Sequence, residues 1–215
     1  METLSQESRP GTGLRSMVEG QAYLNKINQK IHALATRFAS GDINRLQFQE
    51  LYAHYQNERG TIETLLAAEP DTEAWKEAIT DGASILIRHR HIARVQGFSI
   101  FENESGIPLK TIGHFGVDPA LFVPMLSAYR SATEEIFGAG VLSSQIEGGK
   151  WLCFVRGELT TTLALFTTEP SNKQLKNLEE LQIIFEGANR NQLHTQRVFT
   201  EELVCPHEFF IRHPL

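Results

Sequence analysis

Cysteine is almost absent. The chain has 215 residues and 2 cysteines, Cys153 and Cys205, too few for a disulfide framework. Cys153 sits in an apolar run and reads as a packed core thiol in a reducing compartment. Long apolar runs are missing as well, since none approaches the ~20 residues that a membrane-spanning helix needs. The start, Met1-Glu2-Thr3-Leu4-Ser5, has neither the basic nor the apolar region of a signal peptide. A cytoplasmic protein without a membrane span is therefore expected. Clustered positive charge is scarce: 20 Lys and Arg stand against 26 Asp and Glu, for a net charge of -6. Neutralising phosphates needs grouped cations, so no nucleic-acid partner is expected.

The local signatures of catalysis are missing too. The chain contains no Gly-rich phosphate loop ending in Lys-Ser/Thr, no His-Glu-x-x-His, no Gly-x-Ser-x-Gly and no Cys-x-x-Cys. The adjacent acids Glu134-Glu135, Glu179-Glu180 and Glu201-Glu202 diverge on a helix, which fits solvated faces better than an acid/base pair. Gly138-Ala139-Gly140 follows a helical pattern instead of a strand, the wrong setting for a dinucleotide fingerprint. Neither an enzyme nor a cofactor is expected.

What remains is an ordinary globular composition, 41% hydrophobic and 21% charged, organised in stretches. Residues 1–18, with Pro10-Gly11-Thr12-Gly13, lack periodicity and read as a flexible tail. Over 19–68 a helical hairpin is predicted. Leu24, Ile27, Ile31, Leu34 and Phe38 form one stripe, Ser40-Gly41 closes the first helix, and a second starts near Asp42 or Asn44 with Phe48, Leu51, Tyr52 and Tyr55. Residues 69–90 read as a linker in which Glu69-Pro70-Asp71 breaks the pattern and Asp81-Gly82 marks a hinge. Whether Ser84 to Arg90 is helix or strand is left open by the short apolar Ile85-Leu86-Ile87.

The main domain spans 91–196. Strands are predicted at Ile92–Phe101 and Ile107–Ile112, joined by a Gly106-containing loop, then a helix from Asp118 to Phe137 stopped by Gly138 and Gly140. Three further strands, Val141–Ile146, Trp151–Val155 and Thr161–Phe166, are punctuated by Gly148-Gly149 and Arg156-Gly157-Glu158 and read as a meander. On the middle one Trp151, Cys153 and Val155 point one way and Leu152 and Phe154 the other, so both faces must be covered. Pro170-Ser171 with Gln174 begins a final helix whose Leu175, Leu178, Leu181, Phe185 and Ala188 recur at helical spacing. The fold class is thus α+β: a five-stranded, mostly antiparallel sheet with helices on both faces, preceded by an α-helical hairpin. Residues 197–215, with Phe209-Phe210-Ile211, are too apolar for a free tail and are expected to pack on the domain as a C-terminal extension.

Strand, strand, helix, three strands, helix is an order that resembles the Roadblock / dynein light chain-like family, of profilin-like or longin-like architecture. The resemblance is carried by Val95-Gln96-Gly97-Phe98-Ser99-Ile100, Gly106, Ile112-Gly113, Ile136-Phe137-Gly138-Ala139-Gly140 and Trp151-Leu152-Cys153-Phe154-Val155. It implies a non-enzymatic protein-interaction module, a dimeric regulator or scaffold for a small Ras-like GTPase. A PAS- or GAF-like ligand-sensing domain is the alternative, and it needs an internal cavity.

Candidate site residues follow from surplus surface. Leu121, Met125, Ala132 and Ile136 already give the predicted helix an inward face, and Phe122, Leu126 and Tyr129 widen its apolar arc to roughly 160°. Beside it, Leu142 and Ser144 lie on an expected sheet edge with neither Pro nor Lys to block pairing. These five residues form the predicted homodimer or partner interface, unless the hairpin or the C-terminal segment covers that surface within one chain. Arg88, Arg90 and Arg94 form a possible patch for an acidic partner. His89 and His91 would share a face on a strand and could be joined by His114, but the neighbouring arginines oppose a cation, so no metal is expected.

Overall fold

The computed structural model describes residues 12–117, 124, 141–195 and 198–212. It divides into two units, one comprising Met1–Ser40 and Arg45–His91, the other Gly41–Asn44 and Ile92–Leu215.

In the first unit, helix α1 (Thr12–Ala39) turns residues 13, 16, 20, 24, 27 and 34 inward. Those positions follow a spacing of three and four, so they make one stripe. The helix therefore starts inside the stretch expected to be a tail, because the stripe continues through small residues that hydropathy does not register. Gly20 is required there: a Cβ would lie 2.7 Å from the Leu66 side chain. Ser16 donates to the Thr72 carbonyl and accepts from Trp75 Nε1. Helix α2 (Arg45–Ala68) answers with buried Leu51, Tyr55, Glu58 and Ile62, and it runs antiparallel to α1, with Phe38 stacked on Phe48 at one end and Gly20 against Leu66 at the other.

Residues 69–90, read as a linker, hold a 3-10 turn at Ala74–Ala78 and helix α3 (Asp81–Arg90). The ambiguity at Ser84–Arg90 resolves to helix, with Ser84 buried and Ile85 and Leu86 left outward.

The second unit is built on a five-stranded sheet in the order β2-β1-β5-β4-β3, every neighbouring pair antiparallel. Its strands are β1 (Val95–Glu102), β2 (Pro108–Gly113), β3 (Leu142–Gln145), β4 (Trp151–Arg156) and β5 (Thr160–Phe166). The α+β class and the meander of β3, β4 and β5 are as the sequence predicts. Gly148 and Gly149 adopt φ of 76° and 73° between β3 and β4, a conformation open to glycine at little cost.

Both sheet faces are sealed, as the double-sided apolar pattern of β4 requires. Phe98, Cys153, Val155, Ala164 and Phe166 form one layer with Leu178 and Leu181. Phe101, Leu152, Phe154, Leu163 and Leu165 form the other. Trp151, expected to be enclosed, is only half-buried at the end of β4. Apart from Pro124, the helix expected at Asp118–Phe137 lies outside the described residues.

Helix α4 (Asn172–Leu193) covers the first layer and begins with the predicted capping box. Ser171 Oγ accepts from the Gln174 backbone, while Gln174 Oε1 accepts from the Ser171 N–H. Its inward face departs from hydropathy. Ala188 is exposed, whereas Gln182 and Asn189 are 2% exposed, because each has a backbone to satisfy. Asn189 exchanges two hydrogen bonds of 2.8 Å with the backbone of Val204, pinning the C-terminal segment. That segment ends in the short helix α5 (His207–Arg212), which packs over β1 and β2.

Candidate functional site

Among the described residues of the second unit, β3 makes an exposed sheet edge. All four of its residues are exposed, and among the described residues it pairs with β4 alone, from Leu142 opposite Phe154 to Gln145 opposite Trp151. An antiparallel strand paired on one side leaves every second residue's N–H and C=O directed outward. The residues flanking the strand are tied on both sides. Val141 N–H donates to Glu179 on α4 at 3.3 Å, and Ile146 N–H donates to the Lys150 carbonyl at 2.8 Å across the turn. Leu142, 42% exposed, is an apolar side chain beside this open row of backbone groups. Nothing along β3 is charged or proline, so the edge carries none of the usual blocks to pairing.

Of the predicted interface, the structure therefore places Leu142 and Ser144 together on an exposed edge. Phe122, Leu126 and Tyr129 lie outside the described residues. The arginines fare differently. Arg88 and Arg90 are exposed on α3 in the first unit, where Arg88 donates to Tyr55 Oη at 3.2 Å, and Arg94 is exposed ahead of β1 in the second. His89 lies on α3 and His91 caps it, so the strand geometry that would have aligned them does not exist, and His91 Nε2 is 2.8 Å from Glu50. No group of three or more His, Cys, Asp and Glu fit to hold a metal occurs among the described residues.

Two polar clusters were not legible in the sequence. In the first unit, Glu58 is 4% exposed and its Oε1 accepts from Tyr23 Oη and from the Thr80 N–H, both at 3.1 Å. Lys30 Nζ pairs with Asp81 at 2.6 Å beside it. Burial raises the Tyr23 phenol well above its ordinary range, aided by the Glu58 and Asp81 charges, and the hydrogen bond from Lys30 lowers the Asp81 carboxyl. The carboxylate thus fixes the entry to α3 and holds Tyr23 as a donor. In the second unit, Glu186 accepts from the backbone N–H groups of Glu158, Leu159 and Thr160, from Thr160 Oγ1 and from Gln182 Nε2. It staples the β4–β5 turn to α4. The carboxylate lies so close that a Cβ on Gly157 would meet it at 2.2 Å.

Next to that staple is a solvent-open surface cleft of 560 Å³ between α4 and the end of β4, lined by Val155, Arg156, Ile183 and Arg190 among others. Its described lining holds no Ser, Cys, His or Lys, and its Glu186 is committed to the turn. Cys153 is fully buried, with its thiol pushed up to about 12 by burial, which keeps it protonated and unreactive. No helix among the described residues is long and apolar enough to cross a membrane. No protein family matches the chain, and no curated protein is significantly similar to it.

Proposed function

We propose that the second unit is a protein-interaction module that pairs with a second copy of itself through the β3 edge, in the manner of the Roadblock-like proteins it resembles. The observation that carries this is the uncharged β3, exposed at each of its four residues and with Leu142 at its start. Within that reading the protein acts in the cytoplasm as a dimeric regulator or scaffold for a small Ras-like GTPase and has no catalytic residues of its own. The sealed layers on both sheet faces, with Leu152, Leu163, Leu165 and Phe166 each 0% exposed, favour it over a ligand-sensing domain, which needs an internal cavity.

The experiment is nucleotide turnover and co-purification with the small GTPases of the same genome. One of them is expected to co-purify with the chain and to change its turnover rate. A preparation that instead carries a stoichiometric chromophore or metal, and leaves every GTPase unbound, contradicts the assignment.

A further inference from the structure

The C-terminal segment 198–212 is tied to the second unit at three places. Val198 and Leu203 pack with Ile100, Leu109 and Phe185, Asn189 grips the backbone of Val204, and Phe210 and Ile211 pack against the layer containing Phe98 and Ile112. Ile211 lies so near Gly113 that a Cβ there would be 2.8 Å from its methyl, and Gly113 has a φ of 73°. The middle of this segment is the anomaly. His207 is 1% exposed, its ring meets Phe98 at 4.9 Å and Phe185 at 5.3 Å with the planes near perpendicular, and among the described residues neither ring nitrogen has a hydrogen-bond partner.

An imidazole in that setting is stable only while neutral. A proton would put a cation between two aromatic rings with no hydrogen-bond acceptor among the described residues, and a buried charge without a partner is strongly disfavoured. Among the described residues no surrounding element offers compensation. On β1 and α4 the ring faces Phe98 and Phe185; Glu186, next along α4, is engaged by the β4–β5 turn. Glu102 at the end of β1 is bonded by Ser105. Lys110 on β2 and Glu208 on the segment itself act on the Cys205 thiol, and Glu208 and Arg212 are exposed.

We propose that residues 198–212 form an acid-released latch: protonation of His207 undocks the segment from β1, β2 and α4 and uncovers the apolar surface of Phe98, Ile112 and Phe185. Burial lowers the docked imidazole from its ordinary 6.5 to about 4. The docked form therefore binds fewer protons than the released form between those two pH values, so docking is intact above the upper value and weakens as pH falls through the window. From pH 7.5 to pH 5 the released fraction rises about 30-fold. The latch involves the β1–β2 side of the sheet and stands apart from the β3 edge.

Hydrogen exchange of the full chain, read peptide by peptide at pH 7.5 and pH 5 after correction for intrinsic rates, tests this. Peptides of 198–212 are expected to lose protection by about that factor at pH 5, those of β4 and β5 to keep theirs, and His207→Phe to abolish the difference. The latch is refuted by a segment whose protection is the same at both pH values, by His207→Phe responding like wild type, or by β4 and β5 opening together with the segment. Should His207→Phe fail to fold, the wild-type His207 proton resonance decides. Titration concurrent with loss of segment protection supports the latch, and titration with the segment still protected, or only on global unfolding, overturns it.

Discussion

The residues sealed from water in the helical unit include the carboxylate Glu58 alongside Leu51, Tyr55 and Ile62, whereas the strands of the sheet bury apolar layers and the hydroxyls of Ser99, Thr160, Thr161 and Thr162 but no charged side chain. The contrast follows from geometry. A helix brings one narrow stripe to its neighbours, and the first unit positions α3 and the Ala74–Ala78 turn with fixed polar links, Glu58 to Thr80 and Ser16 to Trp75. A central strand covered on both sides packs every residue, and the buried side chains of the second unit make their polar links as neutral groups, from strand hydroxyls at Ser99 and Thr161 and from Gln182 and Asn189 on α4. Side-chain volume should be the larger contribution in the sheet unit, and the helical unit should be the one sensitive to losing the acceptor of a buried carboxylate.

Deletion of volume is expected to have the largest effect. Phe185, 0% exposed and in contact with both Ile100 and the His207 ring, should cost about 3–5 kcal/mol as Phe185→Ala, measured by denaturant unfolding. A smaller effect follows in the helical unit. Glu58→Ala leaves the Thr80 N–H and Tyr23 hydroxyl without their acceptor at a cost of about 1–3 kcal/mol, and Glu58→Gln, which keeps an acceptor, should lose less. Equal stability of Glu58→Ala and wild type would remove the basis of the contrast. The smallest is Ser171→Ala, expected to cost about 1 kcal/mol through loss of the α4 cap. Thermal unfolding that does not move on that substitution would mean the box is dispensable.

What the sequence revealed and what it hid divide along the same line. Alternation of side chains and glycine turns placed β1 to β5 within a few residues, and Ser171 with Gln174 placed the start of α4, because these signals are local. The start of α1 was hidden, since Gly13, Ser16 and Gly20 line its buried stripe by being small and hydropathy scores them as loop. Gln182 and Asn189 were hidden for another reason. Each is polar at a core position, and only the partner across the fold, Thr160 for one and Val204 for the other, makes that position tolerable. Glu58 is the same case in the helical unit, where Thr80 and Tyr23 are distant in sequence. Of the candidate interface, Leu142 and Ser144 were legible because an edge strand is recognised by what it lacks. The arginines were read as neighbours from sequence proximity, and they fall on α3 in the first unit and ahead of β1 in the second.

The open β3 edge is where the account is most exposed to a single measurement, the sedimentation equilibrium of wild type beside Leu142→Lys combined with Ser144→Lys. Both positions face solvent, so the double variant should keep the wild-type unfolding midpoint, and lysines on an edge block strand pairing. The prediction is a wild-type dimer and a folded monomeric variant. A wild type that is monomeric at every concentration, or a variant that dimerises as tightly as wild type, would contradict it.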